Sequence, residues 1–202
     1  MTKLIIASDL CITPANEELF IAGNISAIFH DIAKDIQSAD LAIANLECVL
    51  TSSNTHQIKK TGAYQSAHPD CITGIKKTGF HVLALANNHI LDFGEKGLQD
   101  TISTIQKHGL NFVGAGRHLQ DARKLLIQTC NDLNIGIIAM AEHEFSLAEK
   151  DRWGANPLDP IDFVRVVKEN QDKFDFFVVL LHGGNEHFSY PSPRLQNQCR
   201  FF

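Results

Sequence analysis

Within six residues, Asn87, Asn88, His89 and Asp92 bring together two amides, an imidazole and a carboxylate. They follow a short apolar run, Val82 to Ala86, of the right length for a buried strand, and precede Phe93-Gly94-Glu95, which opens a helix. A strand tip running into a loop is where α/β proteins place ligands and reactive groups. Each residue also has a plain structural reading. Asp92 stands three residues before Glu95, the spacing of a capping box, and the two amides suit a turn. Taken together at one strand end, they point to a site.

Similar clusters recur wherever an apolar run stops. Leu4 to Ser8 ends on Asp9, Leu41 to Ala44 ends on Asn45-Leu46-Glu47, and Asp175 to Leu181 ends on His182-Gly183-Gly184-Asn185-Glu186-His187. Asp9 alone reads equally well as a turn cap. Buried strands of a layered sheet bring their ends to one edge, so groups far apart in sequence can converge. Carboxylate, amide oxygen and imidazole, with no thiolate, suit Mn²⁺, Fe²⁺ or Zn²⁺ rather than the all-oxygen sites of Ca²⁺. A dinuclear centre with its ions about 3.5–4 Å apart would hold a phosphate oxygen and activate water. Beside Asn88 as a ligand, His89 suits a proton donor to a leaving group.

The elements that must position these groups follow from periodicity. Ile25, Ile28, Phe29, Ile32 and Ile36 predict one amphipathic helix over 24–38 with its stripe in the core. Residues 51–61 read as a polar loop, 63–66 as a short strand, and 69–77 as a helix. Leu98, Ile102 and Ile105 mark a helix ending near Gly109, and Asn111 to Val113 a short strand. Gly114-Ala115-Gly116 lacks a third glycine for a nucleotide fingerprint and reads as a tight turn. Residues 125–129 and 135–141 predict a hairpin, 142–159 a long surface loop, and Ile161, Val164 and Val167 another helix. The Leu4–Ser8 strand reads as fully buried. Strands alternating with helices predict an α/β layered fold with a mixed sheet, in one domain over 1–202.

Composition narrows the function classes. Net charge is −5, from 18 basic and 23 acidic residues, and no basic run exceeds two residues. That pattern speaks against a nucleic-acid partner or a polybasic membrane anchor. The five cysteines are widely spaced and never in a Cys-X-X-Cys pair, which fits a reducing compartment. The N-terminal apolar segment is too short for a signal-peptide core or a membrane span, so the expected location is cytoplasmic.

The order of these motifs resembles the CapA family of capsule and poly-γ-glutamate synthesis proteins, within the calcineurin-like metallophosphatase superfamily. The carriers are Ser8-Asp9, Ala44-Asn45-Leu46-Glu47 with Leu50-Thr51, and Gly79-Phe80 leading to Ala86-Asn87-Asn88-His89. Asp92-Phe93-Gly94, Gly97 with Thr101, Gly114-Ala115-Gly116, and His182-Gly183-Gly184-Asn185-Glu186 with Pro191 continue it. The resemblance implies a four-layer α/β/β/α sandwich, incomplete at its C-terminus. It implies a divalent, dinuclear metal centre (Mn, Fe or Zn) ligated by Asp9, Glu47, Asn88 and His182. His89 would be the acid or phosphate contact, supported by Asp92, with Glu186 nearby. The implied function is metal-dependent hydrolysis of the phosphoesterase type, on a small-molecule or polymer substrate such as a phosphoester or polyglutamate. The alternatives are a non-catalytic binding or assembly component and an inactive truncated fragment. Two departures stand out: Cys11 occupies the third position of the superfamily's Asp-X-His motif, and the chain ends at Phe202 before any Gly-His-X-His motif.

Overall fold

Successive parallel strands that step in one direction across a sheet force their connecting helices onto one face, because such crossovers are right-handed. The first half of the chain is built this way. In the computed structural model, which describes residues 1–53, 56–142, 144–185 and 187–202, β1 (Leu4–Leu10) leads through α1 (Glu17–Ala22), α2 (Ile25–Phe29) and α3 (Ile32–Gln37) to β2 (Leu41–Leu46). A two-residue strand pair, β3 (Val49–Leu50) and β4 (Ser66–Ala67), precedes α4 (Ile72–Thr78) and β5 (Val82–Ala84). Then α5 (Gly94–Lys107) crosses to β6 (Asn111–Val113). The four strands β1, β2, β5 and β6 lie in that order, all parallel.

The second half makes another sheet. β7 (Ala115–Gly116) and α6 (Leu119–Ala122) lead into the predicted hairpin, β8 (Leu126–Cys130) and β9 (Leu133–Ala141), which pairs antiparallel. β10 (Gly154–Ala155), α7 (Pro160–Asn170), β11 (Phe176–His182) and α8 (Pro193–Phe201) follow. β11 runs parallel to β9, giving the order β11-β9-β8.

Alternation along β9 shows how the sheets stack. Ile135, Ile137, Ala139 and Ala141 join the large core shared with β2 and β5. Ile138 and Met140 face the opposite way, against Phe163 and Val166 of α7 and Leu195 of α8. Helices, sheet, sheet and helices therefore form four layers, as expected. Gly114 marks the close approach between sheets. Its φ is +88°, and a Cβ there would lie 2.7 Å from Ala139 Cβ and 2.8 Å from Ala86 Cβ.

Three local expectations are corrected. The helix over 24–38 is two short helices, broken at His30, whose φ is +50°. The break shifts the phase of the stripe, so Ile36 is buried while Ile32 is 53% exposed. β1 is an edge strand rather than fully buried, with Ile6 49% exposed. The 142–159 segment is not a surface loop: Ser146, Ala148, Ala155, Asn156 and Leu158 are buried. Its polar groups are satisfied inside the protein, where β10 pairs with β7 and the Asn156 side chain donates to the Ala139 carbonyl at 2.9 Å. No helix among the described residues is long and apolar enough to cross a membrane.

Candidate metal centre

A register shift in β1 sets the first group. Ile6 pairs with Ile43 but Asp9 with Asn45, so β1 spends an extra residue where the ladder reaches its C-terminal end. Such bulges re-aim side chains next to sites. Here Asp9 comes level with Asn45, whose side-chain amide donates to Asp9 Oδ1 at 2.7 Å. Glu47, two residues beyond Asn45 at the end of β2, takes the same face by strand alternation.

β5 delivers the second set. Asn87 is fully buried and acts as a bracket. Its amide donates to the Leu46 carbonyl at 2.9 Å, its Oδ1 accepts from the His89 N–H at 3.0 Å, and its own carbonyl accepts from Ser146 Oγ at 2.6 Å. With Asn87 so held, Asn88 and His89 are turned into a cleft of about 810 Å³. The end of β11 brings His182 to meet them, with Nε2 3.0 Å from Asn88 Oδ1 and Nδ1 3.5 Å from Asp9 Oδ1. Glu47 Oε1 lies 3.7 Å from His182 Nε2 and 3.9 Å from His89 Nε2.

The donor atoms of Asp9, Glu47 and His182 lie within 4.8 Å of one another, and Asn88 adds its oxygen to the same point. Two carboxylates, one amide oxygen and one imidazole form a donor set suited to a divalent first-row cation. The electrostatics fit one too. Burial, and then the like charge of Asp9, push the Glu47 carboxyl above its usual range. The hydrogen bond with His182, helped by Asn45, outweighs burial and holds Asp9 below its usual range. Burial pulls His182 down, yet the hydrogen bond to Asp9 and the charges of Asp9, Glu47 and Glu144 raise it above its ordinary value. This excess of negative charge is what a divalent ion would neutralise.

Asp92 does not cap α5. The residue before that helix is Phe93, without a side-chain cap, and Asp92 is turned inward and fully buried. Its Oδ2 accepts from the Gln65 N–H at 2.7 Å and faces His89 Nδ1 at 2.7 Å. An ionised carboxylate only accepts, so Nδ1 carries the proton and Nε2 is left toward Glu47. Cys11 stays out of the donor cluster, with Sγ 3.5 Å from Gln65 Oε1. Burial, then Glu47 and Asp9, push its thiol up, so it does not offer a thiolate. His187 is exposed, and Glu186 lies outside the described residues.

Two groups at the site carried no periodic signal. Lys60, from the loop read as polar, is buried against Asp92. Glu142 accepts from the Gly184 N–H at 2.7 Å and from Arg194 at 3.0 Å, tying the loop after His182 to α8. Gly183 permits this, since a Cβ there would lie 2.5 Å from Glu142 Cγ.

A family described as "Bacterial capsule synthesis protein PGA_cap" matches residues 4–202. The capsule biosynthesis protein CapA of Bacillus anthracis is 27% identical over 83% of this chain and 43% of its own length. The PGA biosynthesis protein CapA of Bacillus subtilis is 28% identical over 86% of this chain and 47% of its own. A probable polyglutamine synthesis accessory protein of Mycobacterium tuberculosis is 32% identical over 73% and 42%. The chain thus spans less than half the length of these relatives. Among solved structures, a phosphatase from Mycoplasma pneumoniae superposes with a TM-score of 0.55 at 16% identity, over 100% of this chain and 60% of its own, a likeness of fold.

Proposed function

The chain belongs to the bacterial capsule synthesis (PGA_cap) family, and on that premise we propose that it forms the metal-binding part of a phosphoester hydrolase acting in capsule or polyglutamate synthesis. The observation that carries this reading is the convergence of Asp9, Glu47, Asn88 and His182 from four strand ends, beside the His89–Asp92 pair. Those four residues would hold a divalent ion, Mn²⁺, Fe²⁺ or Zn²⁺, and a second ion of a dinuclear centre would draw on further donors. Such an ion supplies Lewis acidity toward a phosphoryl oxygen and lowers the pKa of water at neutral pH.

The chain's own groups have distinct tasks. Asn45 orients Asp9 through its amide, and Asn87 fixes the turn that aims Asn88 and His89. Hydrolysis breaks a P–O bond, and the leaving oxygen takes a proton. As an imidazolium, with its Nδ1–H held by Asp92, His89 would give that proton from Nε2 on the cleft side and be left as the neutral Nδ1–H tautomer. The names of the relatives point to a polymer-synthesis setting, with a phosphoester or a glutamate polymer as the substrate class.

Hydrolysis of bis(p-nitrophenyl) phosphate with added Mn²⁺ tests this. Metal-dependent turnover that falls at least a hundredfold in Asp9→Asn is expected; equal turnover by wild type and Asp9→Asn would refute the reading. A second reading, a binding or assembly component without turnover, is favoured by Cys11, which stands where the superfamily motif has histidine and faces Gln65 instead of the cluster. Stoichiometric Mn²⁺ binding with no hydrolysis of any phosphoester would select it.

A further inference from the structure

We infer that Lys60 is a positioning residue for His89, acting by clamping the Asp92 carboxylate; this rests on the role proposed for His89. Lys60 enters from the polar 51–61 loop, yet its side chain is 3% exposed and that of Asp92 0%. A buried ammonium is costly unless paired, and replacing such a pair with apolar groups is often neutral or stabilising. A buried pair is therefore weak evidence for stability, and the geometry it fixes is the stronger account here.

The geometry is specific. Lys60 Nζ ion-pairs with Asp92 Oδ1, which has no other partner among the described residues. Oδ2 is anchored separately, by the Gln65 N–H and by His89 Nδ1. With each oxygen held from a different direction, the carboxylate plane cannot turn, and the imidazole it faces is held in one orientation. Nζ stands 3.3 Å from His89 Nδ1, on the same edge of the ring.

The segment carrying Lys60 closes on Asp92 from both ends. Ile58 N–H donates to the Asp92 carbonyl at 3.1 Å, and Tyr64 O–H donates to the Ile58 carbonyl at 2.7 Å. The Tyr64 ring lies 5.3 Å from Nζ, within cation–π range. The same segment, through Thr61, Gly62 and Ala63, lines the cleft. Lys60 thus links one cleft wall to the orientation of the proposed proton donor.

The test compares the wild-type chain with Lys60→Met and Lys60→Gln, the second retaining a hydrogen-bond donor in case the first does not fold. Imidazole nitrogen shifts, with His89 assigned from a His89→Gln spectrum, report the ring directly. Wild type is expected to show one Nδ1–H tautomer; each folded variant is expected to show a mixture, and about tenfold faster amide exchange at Gln65. Phosphodiester kcat is expected to fall about ten- to hundredfold with KM within twofold. A purely structural role would lower the thermal midpoint and leave the tautomer single. Variants that keep the single tautomer and Gln65 protection overturn the inference, whatever the activity. Wild type without hydrolysis, but with these spectral changes in the variants, would instead sink the proposed activity and leave the Lys60 clamp standing.

Discussion

Asp9 and Glu47 are neighbouring carboxylates with opposite shifts, and His182 lies between them. The raised His182 contributes stability that is fully present below its unfolded value and lost as pH rises through its higher folded one. The depressed Asp9 contributes stability that is present above its unfolded value and lost as pH falls through its lower folded one. In chelator, the urea midpoint is therefore expected to peak between the two ranges and to decline on either side; a midpoint flat from the Asp range to beyond the His range would contradict these shifts. Metal uptake requires a neutral imidazole and ionised carboxylates, so Mn²⁺ affinity is expected to climb with pH through the raised ranges of Glu47 and His182. For His89, substitution by Asn is expected to lower kcat by about 10²–10⁴-fold. Mn²⁺ stoichiometry should stay unchanged, since His89 is outside the donor set. Equal loss of metal and turnover would place His89 among the ligands.

At the scale of elements, short helices pack through small residues. In α4, a Cβ on Gly74 would lie 2.7 Å from the Phe20 carbonyl oxygen and 2.8 Å from Phe20 Cα, because α1 and α4 touch backbone to backbone. Gly74→Ala is expected to cost about 1–3 kcal/mol by overpacking, read from urea denaturation; an unchanged midpoint would mean that α1 moves away without cost. The strands were legible from the sequence because apolar runs such as Leu41–Ala44 and Phe177–Leu181 have few alternatives. The helix over 24–38 was not. Its apolar spacing fits a single stripe on paper, while His30 turns the chain and leaves Ile32 outward. Periodicity cannot register such a break, since no Gly or Pro marks it. The 142–159 segment misled for a related reason: its buried Ser146 and Asn156 are polar residues satisfied by tertiary hydrogen bonds that no local pattern shows.

For the whole molecule, the convergence of the candidate ligands was readable because each closes or follows an apolar strand run, and parallel strands of a sheet share one C-terminal edge. Asp9, Glu47, Asn88 and His182 meet there although up to 173 positions separate them. Lys60 and Glu142 were not readable, because a polar residue in a polar stretch looks solvated until the fold closes over it. Ligation that joins both sheets should also brace them. Since a ligand confined to the folded state stabilises it by about 2.7 kcal/mol at 100 times its Kd, saturating Mn²⁺ is expected to raise the thermal midpoint by several degrees, reversibly with EDTA. The most direct measurement is calorimetric titration of the chelator-stripped chain with Mn²⁺, run beside Asp9→Asn and His182→Ala. Saturable binding by the wild type, weakened at least tenfold in each variant, is the expected result. No binding, or equal binding by all three, would contradict a metal centre at the meeting point of these strands.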